Sequence, residues 1–357
     1  MYKRELKKPD GRDLILYARA PIDPAITAPA AGHAGPRSSH LRWHPLRGEW
    51  IVYAGHRQDR TFLPPPGWNP LAPTTNPDQP TEVPAGAWDV AVFENLFSAL
   101  GSTEASVPEA IVDTAPAGGR CEVVVFTQDP GASLGALPLD HIELVLGVWA
   151  DRTQALAARP DVACVFAFEN RGVEVGATLA HPHGQIYAYP FVPPILAREL
   201  ALQRSHFERH GDSLLGALIA AELAADQRTI YVGPYAVAFV PVCARWAYEL
   251  WIAPRRPAPA LAALSELERL DLARALRIAL CKLDRLWQRP MPYVLAVHQA
   301  PARGHHPYAH VHIEIYPWMR MPGRLKYLAG SEVGAGAFTA DTLPEAKAAE
   351  LRAVEVP

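Results

Sequence analysis

The sequence predicts an α+β fold, mainly antiparallel sheet with helices packed on it, and three observations carry that reading. Strand-like and helix-like stretches are mixed without the regular alternation that builds a parallel sheet. Their order repeats once along the chain, and internal repetition is the signal to weigh first. Each copy ends in a strand that opens with His-x-His and closes with Tyr-Pro: His181-Pro182-His183 to Tyr189-Pro190, and His310-Val311-His312 to Tyr316-Pro317.

The elements follow in order. Residues 1–39 show weak periodicity with several Pro and Gly, and read as an N-terminal arm or a loosely attached edge. Glu49 to Tyr53 reads as a strand, followed by a polar turn that carries Arg57 and Arg60. Residues 63–84 are a loop by composition. The first copy then runs as strands at Asp89 to Phe93 and Glu122 to Thr127, a helix over Asp140 to Ala158, and a strand at Val162 to Phe168. Its last strand starts at His181. Residues 195–225 are helical. The second copy gives strands at Tyr235 to Val240 and Tyr248 to Ile252. A long amphipathic helix covers Ser265 to Gln288, with Ser265 as N-cap and Glu268 three residues on. Strands at Tyr293 to Val297 and from His310 complete it. The predicted division is an arm over 1–39, a first half over 40–195 and a second half over 196–357.

Composition removes several function classes. Apolar residues make up 49% of 357 positions, enough for a sizeable core. The net charge of -3, without a basic block, argues against a nucleic-acid surface. No apolar run is long enough to span a membrane, and the charged start leads into Pro9-Asp10-Gly11, not a signal core. The expected location is the cytoplasm. Four scattered cysteines, none in a Cys-x-x-Cys pair, fit reduced thiols.

The first histidine pair carries the chemistry. Strand side chains alternate, so His181, His183 and Gln185 are expected on one face, with Gly184 leaving the backbone open beside them. A neutral imidazole is a competent nucleophile toward phosphorus. It needs a partner that holds its tautomer and a donor that meets charge growing on the phosphoryl oxygens. Such a pair alone also fits a metal pair or a polar strand face. The second pair, His310 and His312, lies near His298 in the repeat; three imidazoles with a carboxylate suit Zn²⁺ or Fe²⁺. A hydrogen-bonded cluster without metal is the alternative. His305 and His306 sit in a Gly/Pro loop and read as solvated.

The composite motif Phe168-Glu169-Asn170-Arg171-Gly172, Gly176, Thr178 and His181-Pro182-His183-Gly184-Gln185-Ile186 resembles the active-site region of galactose-1-phosphate uridylyltransferases, in the histidine-triad superfamily. The likeness runs from about His44 to the C-terminus. It implies two tandem histidine-triad-like halves. It also implies that His183 takes UMP from UDP-glucose, releases glucose 1-phosphate and passes UMP to galactose 1-phosphate through a covalent intermediate. By the same resemblance, Gln185 binds the transferred phosphoryl group and the backbone carbonyl of His181 orients the nucleophile. Arg57 and Arg60 match a basic pair near the phosphates, although a solvated turn is the plain reading of those two. Asn95 and Asn170 match nucleotide contacts, and Thr178 a phosphate contact. Lys326 and Glu332 match a tail that reaches the sugar phosphate from the partner subunit, implying a homodimer. Glu199, His298, His310 and His312 match a structural Zn or Fe site.

The sequence also departs from the family. A second zinc site, built from Cys-x-x-Cys, an upstream histidine and the position of His181, meets Asn69-Pro70-Leu71-Ala72 and Pro130 here. That site is expected to be absent. Ser331 and Phe338 stand where some members have Tyr and Gln, which loosens the case for galactose. Three other readings stay open at this point: a related phosphorylase or hydrolase, a noncatalytic sugar-nucleotide-binding protein, and a metallohydrolase centred on the second histidine pair.

Overall fold

The computed structural model describes residues 1–32, 39–59, 67–103 and 107–356. It begins with β1 (Tyr2–Lys7) and β2 (Asp13–Ala18), then β3 (His40–His44) and β4 (Glu49–Tyr53). The first copy of the repeat holds β5 (Val90–Glu94), β6 (Thr114–Pro116), β7 (Arg120–Val125), α1 (Leu139–Ala157), β8 (Cys164–Arg171) and β9 (His183–Tyr189). Helices α2 (Pro194–His210) and α3 (Leu214–Ala225) connect it to the second. There follow β10 (Thr229–Val232), β11 (Ala236–Phe239), β12 (Leu250–Pro254), α4 (Glu266–Arg285), β13 (Tyr293–His298) and β14 (His312–Pro317). The chain closes with β15 (Met319–Met321), β16 (Arg324–Leu325) and α5 (Pro344–Arg352).

Eleven of these strands form one sheet in the order β1-β2-β5-β7-β9-β8-β13-β14-β12-β11-β10. Its paired strands run antiparallel, as expected for an α+β chain. The order shows the repeat directly. β5-β7-β9-β8 in one half is mirrored by β13-β14-β12-β11 in the other, and β8 and β13 meet at the centre with Val294 opposite Asn170. Strands β4-β3-β6 form a separate small sheet.

The core lies between the large sheet and the pair α1 and α4. Ile142, Val145 and Trp149 of α1, and Leu272, Leu276 and Leu283 of α4, share one cluster with Ile186 and Ala188 of β9 and Ile313 of β14. Each such side chain contributes about 1.5–3 kcal/mol by leaving water. Since β9 buries Gly184, Ile186 and Ala188 toward the helices, period two turns His183, Gln185 and Tyr187 to the opposite face.

Local signals explain the helix ends. Ser265 caps α4: its hydroxyl accepts from the Glu268 N–H at 3.3 Å while the Glu268 carboxylate accepts from the Ser265 N–H at 2.8 Å. The helical stretch expected over 195–225 is broken in two. Gly211 takes φ +75° as the left-handed cap of α2, and Ser213 starts α3 by accepting from the Gly216 N–H.

The beginning of the chain differs from the expected arm. β1 and β2 form a hairpin on the sheet, and β2 is buried against β5. Alternating charges on β1 mark it as an edge strand and conceal it from a periodicity search. Among the described residues no helix is long and apolar enough to cross a membrane. The cysteines are free; Cys121 and Cys164 are buried, whereas Cys243 is exposed.

Candidate active site

A cavity of about 430 Å³ lies on the face of the first half turned away from α1 and α4. His183, Gln185 and Tyr187 of β9, Asn170 and Phe168 of β8, and Phe93 of β5 form its floor. Arg57, Asn95 and Thr178 reach it from the loops, as does the segment carrying Trp68 and Leu71. Volume and lining suit a ligand of nucleotide size with an apolar part and a few directing polar groups.

Gly184 is required by close approach. A Cβ there would lie 2.7 Å from the Phe126 ring and 2.9 Å from the Phe168 carbonyl oxygen. The absent side chain lets β9 sit tight between β7 and β8.

His183 donates from Nδ1 to the backbone carbonyl of His181 at 2.8 Å. That bond fixes the tautomer and leaves Nε2 with its lone pair. Burial pulls the His183 pKa below its ordinary value, and the nearby His181 ring acts the same way, so the ring is held neutral. Arg57 donates to the Tyr187 hydroxyl at 3.2 Å, which sets a cation at the cavity wall. The Asn95 side-chain oxygen accepts from the Phe97 N–H at 2.9 Å, leaving its amide hydrogens for a ligand.

The other expected site residues lie as follows. The His181 ring is buried just before β9, with Nε2 donating to the Thr127 carbonyl at 2.7 Å, and its own carbonyl holds the His183 ring. Lys326 and Glu332 are not brought to the cavity of their own chain. Lys326 is buried and donates to the Thr339 carbonyl at 2.7 Å, and Glu332 accepts from the Ala329 N–H at 3.1 Å. Arg60 lies outside the described residues. Conversely, Tyr187 and Trp68 were missed. Tyr187 was available from the sequence, four residues beyond His183 on the same strand face; Trp68 has no such local mark.

The second half repeats the geometry with different side chains. His312 donates from Nδ1 to the His310 carbonyl at 3.0 Å, and His310 donates from Nε2 to the Pro254 carbonyl at 2.8 Å. Glu199, His298 and His312 offer ligand atoms within 4.8 Å of one another. Two imidazoles and a carboxylate in a buried setting fit a borderline cation such as Zn²⁺ or Fe²⁺. His310, expected as a fourth ligand, is not in that group. Its Nδ1 faces the Ser213 hydroxyl at 3.0 Å and its Nε2 is taken by Pro254; burial drops its pKa to about 4. His298 pairs with His312 across β13 and β14. Phe168 pairs with Gln185 across β8 and β9, and that register, continued by two, sets Asn170 beside His183. The asparagine and the metal-side histidine therefore occupy equivalent positions, as the repeat predicts.

The family pattern described as “Galactose-1-phosphate uridyl transferase, N-terminal domain” matches residues 32–193, and the corresponding C-terminal domain pattern matches residues 199–356. The chain belongs to the galactose-1-phosphate uridylyltransferase family. Its membership makes it a UDP-glucose–hexose-1-phosphate uridylyltransferase in enzyme class. A galactose-1-phosphate uridylyltransferase from Thermotoga maritima is 33% identical over 323 residues, covering 88% of this chain and 98% of that protein. One from Streptomyces lividans is 36% identical over 315 residues, covering 84% and 81%. A solved structure described as a uridylyltransferase superposes with a TM-score of 0.80 at 34% identity, covering 88% of this chain and 97% of that one.

Proposed function

We propose that this uridylyltransferase moves UMP from UDP-glucose to galactose 1-phosphate in two displacements through a covalent uridylyl-His183. The observation that carries the reading is the Nδ1 bond from His183 to the His181 carbonyl, which leaves a neutral Nε2 beside a nucleotide-sized cavity. In the first step the Nε2 lone pair forms a bond to the α-phosphorus of UDP-glucose. The phosphorus–oxygen bond to glucose 1-phosphate breaks, and that oxygen leaves with the electron pair. In the second step a phosphate oxygen of galactose 1-phosphate attacks the same phosphorus, and the phosphorus–nitrogen bond electrons return to His183.

Gln185 donates from its amide to the phosphoryl oxygen as charge grows there. Arg57, with Arg60, adds positive charge near the phosphates, and Thr178 offers a hydroxyl to them. Asn95 and Asn170 read the nucleotide. A resident Zn or Fe ion on Glu199, His298 and His312 would tie α2 to β13 and β14; its role is structural. The Lys326–Glu332 tail is assigned to the sugar phosphate of a partner subunit in a cytoplasmic homodimer, which accords with its distance from its own cavity.

Intact-protein mass after mixing with UDP-glucose and an alkaline quench tests the reading. The expected result is a gain of one uridylyl group in the wild type, none in His183→Ala, and removal by galactose 1-phosphate. Turnover without any adduct would refute the covalent route. An adduct removed only by phosphate or water would assign the chain to phosphorolysis or hydrolysis.

A further inference from the structure

The segment that carries no cysteines is nonetheless tied to the nucleophile. Asn69 lies 2.9 Å from His181, its side-chain nitrogen on the ring Nδ1, and its side-chain oxygen accepts from the Leu71 N–H at 3.0 Å. The second contact fixes the amide's orientation: an N–H donor occupies the oxygen, so the NH₂ end must face the imidazole. His181 Nε2 faces the Thr127 carbonyl, which can only accept, so Nε2 holds the ring's hydrogen and Nδ1 accepts from Asn69. One neutral tautomer of His181 satisfies every partner. A second proton on Nδ1 would point at the amide hydrogens of Asn69.

The second half arrives at the same circuit with another residue. Ser213 accepts from the Gly216 N–H at 3.1 Å and lies 3.0 Å from His310 Nδ1, while His310 Nε2 donates to Pro254. In both halves, then, the first histidine is held at both ring nitrogens, and its carbonyl takes the Nδ1 hydrogen of the second. The segment bearing Asn69 is itself anchored. The Glu82 N–H donates to the Pro70 carbonyl at 2.9 Å, and the Glu82 carboxylate is held by the buried Lys8 and Arg12 of the N-terminal hairpin.

We propose that Asn69 is a positioning residue: it locks His181 in one neutral tautomer and so fixes the carbonyl that aims His183 at the ligand. This rests on His183 being the nucleophile. Burial lowers the pKa of His181, with the Thr127 carbonyl and Asp129 acting the other way, which agrees with a ring kept neutral.

The test uses full-length protein with ¹⁵N-labelled histidine, the His181 signals being assigned by their loss in His181→Gln. Wild type should show the Nε2–H tautomer alone. Asn69→Ala should mix the tautomers and lower the rate of uridylyl-adduct formation about ten- to a hundredfold, the scale of losing an outer partner that orients a metal-bound histidine. KM for UDP-glucose should hold, because Asn69 is not among the residues that line the cavity. Asn69→Asp, which accepts where Asn69 donates, should add a hydrogen at Nδ1 while Nε2 keeps the one it gives to Thr127, so the signals become those of the doubly protonated ring. A wild type that forms no adduct overturns the nucleophile reading and this proposal with it. An adduct formed at the wild-type rate in Asn69→Ala, or His181 signals unchanged in both variants, overturns this proposal alone.

Discussion

Removing the carboxylate of Glu82 should expose the electrostatic clamp between the N-terminal hairpin and the cavity wall. Glu82 is the carboxylate that meets Lys8, whose side chain is 0% exposed, and it also pairs with Arg12 at 3.0 Å. Arg12 keeps Asp10 at 2.6 Å and the Ala31 and Glu94 carbonyls, so the orphaned charge in Glu82→Ala is that of Lys8. Breaking a buried pair costs about 3–5 kcal/mol. Lys8 can escape by losing its proton. From a reference pKa of 10.5, this costs about 5 kcal/mol at pH 7 and about 2 kcal/mol at pH 9, which caps the penalty at each pH. The sign follows from linkage. Burial already lowers the Lys8 pKa while Glu82 holds it up, and without Glu82 it falls further. The unfolded chain then binds more protons than the folded one, so the variant regains stability as pH rises. Urea denaturation of wild type and variant at both pH values measures this. A loss under about 1 kcal/mol at pH 7, or an equal loss at pH 7 and pH 9, would refute the assignment of Lys8 as a buried cation that depends on Glu82.

Three further outcomes are expected. Gly184→Ala should destabilise by about 1–3 kcal/mol in the same denaturation assay, because the new methyl group meets Phe126 and the Phe168 carbonyl. Adduct formation should stay level as pH falls toward 6.5 and drop only below it, since burial sets the His183 pKa under its ordinary 6.5 and the neutral ring is the reactive form; rapid-quench rates across that range decide it. Added Zn²⁺ should raise the unfolding free energy of the metal-free protein, read from urea denaturation, by up to about 4 kcal/mol at a thousandfold excess over Kd, and His298→Ala should abolish that gain.

How far the sequence reached depended on whether a feature was local. The repeat, the α+β class and the capping box at Ser265 and Glu268 are short-range patterns, and each was legible. So were His183 and Gln185, because a strand's period puts them on one face. The partners of the His181 ring, Thr127 and Asn69, are non-local contacts that spacing along the strand does not show. His310 lies outside the group of Glu199, His298 and His312, and nothing in its spacing tells that Pro254 and Ser213 face its two nitrogens. The N-terminal hairpin was read as an arm because its ties are non-local: Lys8 and Arg12 meet Glu82 across 74 and 70 residues. The cavity wall is likewise assembled from Trp68, Phe93 and Thr178, which no single window of sequence contains.

The central pairing of β8 with β13 has a consequence for the chain as a whole. Both strands are largely apolar, Cys-Val-Phe-Ala-Phe and Tyr-Val-Leu-Ala-Val, and each covers the other's open hydrogen-bonding edge. The outermost strand at one rim, by contrast, is the lysine-rich β1, a poor template for another chain. A gene cut between α2 and α3 would thus release two fragments, each with a sticky apolar border where the intact protein has none. Expressed alone, either piece should precipitate; expressed together, the borders have each other to close on.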